Sequence, residues 1–128
     1  MRVVLGHGLD WTIRSFDEEA ANSIIEFCEL CHHWKGAKAR TPIKLEPNQK
    51  WRLALKYGWK RKDTKGRRFK KFYEEVARKN AKTTEKALEA IYHMMYDGGY
   101  GACVVAAATK SDQAKIVVND AGMIIERT

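Results

Sequence analysis

The chain lacks any apolar run of about 18 residues, so its sequence holds no stretch expected to cross a membrane as a helix. It lacks the shape of a secretory signal as well. Met1-Arg2-Val3-Val4-Leu5-Gly6-His7-Gly8 carries one charge and a very short apolar patch. Cysteine is scarce and odd in number, with Cys28, Cys31 and Cys103 alone, which argues against a disulfide framework and for reduced thiols. There is no low-complexity tract. These absences point to a globular chain in a cytoplasmic setting.

What is present is one domain's worth of chain: 128 residues, 45% hydrophobic, with a net charge of +8. The excess charge is not spread evenly. Lys56, Lys60, Arg61, Lys62, Lys65, Arg67, Arg68, Lys70, Lys71, Arg78, Lys79 and Lys82 form one basic block. Such a block suits phosphate, whether of a nucleotide or of DNA, or else serves as a solvated face. Trp51, Tyr57, Trp59, Phe69, Phe72 and Tyr73 are interleaved with it, at spacings that fit core packing as well as base stacking.

The stretch from Phe72 to Thr84 reads as a short strand, a sharp basic loop and the start of a helix running to about Asp97. A Lys followed by a hydroxyl residue at a strand-to-helix turn is the plan of a phosphate-binding loop. Backbone N–H groups and the positive end of the helix face the anion, the Lys reaches the β/γ-phosphates and the hydroxyl holds Mg²⁺. Against G-x-x-x-x-G-K-[ST], Lys82-Thr83 fills the last two places, and Val76 and Ala81 stand where glycine is usual. Ala81 adds a Cβ where the backbone would approach phosphate, which is tolerable if its φ stays negative and otherwise weakens affinity.

A second pattern competes for attention. Cys28-Glu29-Leu30-Cys31-His32-His33 matches C-x-x-C-H, the c-type haem attachment signature, and offers four metal ligands. Haem attachment needs export, and zinc would need further ligands from Cys103, His7 or His93. Both cysteines already sit on the apolar stripe of a helix expected over 17–34, with Ala20, Ile24 and Phe27. They read as core residues.

Along the rest of the chain, residues 1–15 carry no functional assignment. Ser15 or Asp17 can cap the first helix, and Gly36 ends it. Pro42 and Pro47 bound an extended stretch, and Pro47 opens a helix with Gln49, Trp51, Leu53, Leu55 and Tyr57 along its packed side. Residues 58–67 read as a basic hairpin tip punctuated by Asp63 and Gly66, followed by a strand from Arg68 to Ala77. Ala102–Ala108 has the apolar continuity of a strand buried in a parallel sheet, and Thr109 or Ser111 caps a last helix. The result is a 16–57 helical lead and a 58–128 βαβα phosphate-loop core.

Three segments together resemble the large terminase subunits, the DNA-packaging ATPases of tailed phages. Val76-Ala77-Arg78-Lys79-Asn80-Ala81-Lys82-Thr83-Thr84 is similar to that family's deviant Walker A. Leu45-Glu46-Pro47-Asn48-Gln49 resembles its adenine-contacting Gln segment, with Asn48 where an aromatic is usual, and Ala106–Ala114 resembles its next strand-to-helix junction. The resemblance implies an α/β fold, a P-loop NTPase-like three-layer αβα of which this is the N-terminal portion. It implies ATP and Mg²⁺ as cofactors, and Arg78, Lys79, Asn80, Ala81, Lys82, Thr83 and Thr84 as phosphate-binding residues. Arg78 and Lys82 would be catalytic, Thr83 would be the Mg²⁺ ligand and Gln49 the adenine contact. Double-stranded DNA, a small terminase subunit and a portal protein would be partners, in a homo-oligomeric ring within a phage- or prophage-infected bacterial cytoplasm. No apolar strand ending in Asp-Glu follows Ala108, so the Walker B acid is lacking and the chain alone is expected to hydrolyse ATP poorly. The alternative is a basic nucleic-acid-binding α/β fragment that binds no nucleotide.

Overall fold

The computed structural model describes residues 2–3, 14–77, 81–97 and 99–128. The fold is mixed α/β. In chain order it contains β1 (Arg2–Val3), β2 (Arg14–Phe16), α1 (Glu18–Leu30), α2 (Pro47–Gly58), β3 (Trp59–Arg61) and β4 (Glu74–Glu75). Then come α3 (Lys82–Tyr92), a π-helical turn (His93–Asp97) and α4 (Ser111–Arg127). The chain divides into two compact units: Met1–Glu26 with Leu45–Asn80, and Phe27–Lys44 with Ala81–Thr128.

In the first unit, α1 starts where an acceptor is available for an orphan donor. The Ala20 N–H donates to Asp17 Oδ1 at 2.9 Å, the capping role expected of Asp17. Pro47 opens α2 as expected, since its fixed φ and absent N–H cost nothing in a first turn. The buried face of α2, however, is Gln49, Arg52, Leu53, Lys56 and Tyr57. Trp51 is half exposed, so the expected packed side is corrected to a stripe of helical period that includes two cations. They are tolerated there because Glu74 of β4 faces them. Lys56 pairs with its carboxylate and Arg52 Nε lies 4.0 Å away, with all three side chains nearly buried.

The basic hairpin forms where the sequence places it. β3 pairs antiparallel with β2, Phe16 opposite Trp59 with the rings edge to face at 5.5 Å. On its other side Lys60 bridges Arg67, Arg61 N–H donates to the Gly66 carbonyl at 2.9 Å, and Arg68 N–H to that of Trp59 at 2.9 Å. Lys65 takes the left-handed turn position (φ 56°), and Asp63 accepts from Arg61 at 2.6 and 2.9 Å. The strand expected over 68–77 shrinks to Glu74–Glu75, paired antiparallel with Arg2–Val3. Residues 69–73 form no strand, and Phe69 is instead buried against the edge of Phe72 at 5.8 Å.

In the second unit, α3 and α4 pack through Ala87, Leu88, Ile91 and Ile124, with Cys28, Cys31 and Ile43 completing the core. Phe27, Tyr92 and Tyr96 form an aromatic cluster with centroids 5.4–5.5 Å apart. α1 stops at Leu30, short of the expected Gly36. The next carbonyls are claimed by a loop ladder: Ile43 N–H bonds the Cys31 carbonyl at 2.8 Å and Arg40 N–H that of His33 at 2.6 Å. Lys35 clamps this loop to α4 through both oxygens of buried Asp120 at 3.0 Å.

The apolar segment 102–108 forms no strand, and the described sheets are two antiparallel pairs. The expected buried parallel strand is therefore corrected. A strand is held by ladder bonds to neighbours, and none pairs with this one among the described residues. Val104 is 41% and Val105 81% exposed, and residues 104–108 border a groove of about 330 Å³ with Lys86, His93 and Val117. The Gly98 cap expected for α3 lies outside the described residues.

Gly58 is a packing requirement. A Cβ there would stand 2.7 Å from Phe16 Cζ and 3.1 Å from Ala21 Cβ. Gly58→Ala is expected to destabilise the chain by about 1–3 kcal/mol through overpacking, measured as a fall in urea midpoint at unchanged slope.

Candidate phosphate-facing helix terminus

α3 begins at Lys82, and the residue that delivers the chain into it is Ala81 in the left-handed conformation (φ 52°, ψ 25°). The condition of a negative φ is not met. A residue entering a helix ordinarily has extended φ/ψ, and here the left-handed conformation falls on a residue with a Cβ. The first turn closes normally, Glu85 N–H donating to the Ala81 carbonyl at 3.0 Å. The opening N–H groups of an α-helix point along its axis away from its body, and the summed peptide dipoles make that end positive.

Around this terminus Lys82 is exposed, Thr83 and Thr84 are half-buried, and Glu85 is buried at 3% exposure. Lys82 and Thr83 are the first two residues of the helix, at its positive end. Arg78, Lys79 and Asn80 lie outside the described residues. Val76 is half-buried and Ala77 exposed, both in the first unit.

Gln49, also in the first unit, is buried and already employed. It occupies the third helical position of α2, where its Oε1 accepts the Glu46 N–H at 2.8 Å, as in half of a capping box. This bond fixes the orientation of the amide. The buried trio Arg52, Lys56 and Glu74 was not foreseen. Its signal was there: two cations four residues apart on the stripe that also holds Leu53 and Tyr57.

The cysteine–histidine run is placed as core. Cys28 is 1% and Cys31 4% exposed, and burial, then neighbouring Cys31, Glu89 and Glu85, push the Cys28 thiol far above its usual range. Burial also raises Cys31, partly offset by a hydrogen bond that the Thr128 hydroxyl donates to its sulfur. The His33 imidazole is lowered by burial and then by Lys38. Among the described residues, no convergent set of metal-ligating atoms includes Cys28, Cys31, His32 or His33.

Of the expected phosphate loop, the described residues hold the left-handed Ala81 and the helix that opens on Lys82-Thr83. Against protein families, the profile "Terminase large subunit, ATPase domain" matches residues 47–128, so the chain belongs to that family. Comparison with curated proteins and with solved structures gives no match. The matched segment contains Gln49 and the whole of 76–84. No helix among the described residues is long and apolar enough to cross a membrane.

Two outcomes follow. Ala81→Gly trades about 1–2 kcal/mol of left-handed strain for about 0.5–1 kcal/mol of glycine backbone entropy, so it is expected to be neutral or stabilising by up to about 1 kcal/mol in urea denaturation. Ala81→Val, β-branched at the same φ, should destabilise. Iodoacetamide on the folded chain should label exposed Cys103 and spare Cys28 until denaturant is added, as read by peptide mass spectrometry.

Proposed function

We propose that this chain is the ATP-binding front part of a phage terminase large subunit, the motor that drives viral DNA into procapsids, built on a P-loop NTPase-like core. The observation that carries the reading is the left-handed entry into α3 directly before Lys82-Thr83, inside the segment matched by the family. Glycine is the usual residue at such a point because it adopts αL freely. Here the backbone holds that geometry without it.

In this reading the loop Arg78–Thr84 wraps the phosphates of ATP, with Lys82 set against β/γ-phosphate charge and Thr83 as the protein ligand to Mg²⁺. Bound Mg²⁺ would supply Lewis-acid neutralisation of the phosphates. Arg78, four residues before Lys82, acts as a cis arginine finger or as a ground-state phosphate contact, and Lys79 and Asn80 shape the loop. Gln49 reads the adenine edge through its Nε2 end, its carbonyl being held by Glu46. No later apolar strand in this sequence ends in the acidic pair that organises Mg²⁺ and water, so turnover by this chain alone is slow. Duplex DNA, a small terminase subunit and a portal protein are the partners, in a ring of copies in the bacterial cytoplasm.

The second reading, a basic nucleic-acid-binding α/β module without nucleotide, is favoured by the charge concentrated on the hairpin. Lys82→Ala with nucleotide titration separates the two. The motor reading expects at least a tenfold loss of ATP affinity, about 1.4 kcal/mol. Affinity unchanged by the substitution, or no ATP binding by the parent chain, would leave the second reading in place.

A further inference from the structure

The twelve residues from Lys60 to Lys71 hold eight Lys and Arg against one acid, Asp63, so seven of the chain's eight excess positive charges are concentrated there. The hairpin orders several of them. Arg61, Thr64, Gly66, Arg67 and Lys70 line a concave cleft of about 570 Å³. Its one acidic neighbour is already committed. Asp63 receives both Arg61 nitrogens and the Thr64 N–H, and the hydrogen bond from Arg61 followed by that from Thr64 holds its carboxyl well below the usual range. It shapes the tip and stays ionised rather than sharing a proton with a ligand.

The register adds to the field. β3 brings Lys60 and Arg61 into the pairing with β2, Lys60 opposite Ser15, so two cations of the hairpin are held on an ordered strand. The aromatics of this region lie beneath the cations. Arg67 rests on the Tyr57 ring at 5.3 Å, and Arg68 on Phe69 at 4.3 Å and Trp59 at 6.0 Å. Tyr57 and Phe69 are buried, and no aromatic is among the residues that line the cleft. Single-strand sites present aromatic faces for bases to stack on; this cleft presents guanidinium and ammonium groups and a loop backbone.

We propose that the hairpin cleft bounded by Arg61, Arg67 and Lys70 is a binding site for the sugar-phosphate backbone of duplex DNA. It rests on the hairpin and not on the nucleotide loop. Recognition is by charge and is independent of sequence, since phosphate contacts position a duplex without reading it. The hairpin's ladder fixes Arg61 and Arg67 on opposite strands, which gives the site a defined width without a ligand present.

The test is fluorescence anisotropy of a labelled 20-base-pair duplex with the full chain over a range of salt. Lys70→Glu is expected to weaken binding at least tenfold, Lys70→Gln less, and each lost phosphate contact should reduce the salt slope by about 0.9. Lys115→Glu, an exposed reversal on α4 with the same change in net charge, should stay within about twofold of the parent. Far-UV circular dichroism of each variant guards against misfolding. Equal losses for Lys70→Glu and Lys115→Glu would overturn the site in favour of diffuse charge. So would tighter binding of the matching single strand, or a loss of ATP affinity in Lys70→Glu with duplex affinity intact. A chain that fails to bind ATP but keeps Lys70-dependent duplex affinity would remove the nucleotide reading and leave this site standing.

Discussion

The left-handed residue at the head of α3 is the constraint on which the second unit's chemistry depends. Ala81 at φ 52° sets the direction in which the first turn of the helix opens. Alanine holds that conformation at a cost of about 1–2 kcal/mol, and something must offset it. The helix itself does so. Ala87, Leu88 and Ile91 are essentially buried on one face, and burying a Leu or Ile side chain contributes roughly 1.5–3 kcal/mol. Two such residues outweigh one strained turn, so packing far along α3 keeps the loop-facing end in register.

Charge in this chain is handled in two opposite ways. Where it is buried it is answered: Arg52 and Lys56 meet Glu74, and Asp120 meets Lys35. Where it is exposed on the hairpin it is left in excess, with Asp63 alone on the acidic side and occupied by Arg61. Desolvating an unpaired charge costs several kcal/mol, whereas a solvated cation costs little until a polyanion arrives. Surplus positive charge on the hairpin is therefore available for binding, and the buried pairs serve packing.

Much of this was legible in the residues, and the failures have physical causes. Asp17, Pro47 and the Asp63/Gly66 tip were readable because caps, first-turn prolines and turns are local chemistry. The face of α2 was misread, because Arg52 and Lys56 look like surface residues until a carboxylate from β4 is brought to them by pairing with β1. Residues 102–108 have the composition of a central strand, yet a strand exists only through its neighbours, and composition cannot supply them. The φ of Ala81 was left open by the sequence for a related reason: residue identity sets the cost of a left-handed turn, and the surrounding chain decides whether that turn is made.

The extent of the family match sharpens what each part of the chain is for. It begins at Pro47, the first residue of α2, and runs through the hairpin, the loop and both later helices. α1 and the loop after it fall outside, and with them the Cys28–His33 run that looked most like a cofactor site. Those residues do pack: Cys28 and Cys31 are buried and the loop is tied down by Lys35 on Asp120. The segment with the metal-like pattern is thus the one used for packing. The segment matched by the family holds the hairpin cations, the cleft they line and the left-handed turn, features that packing alone does not explain.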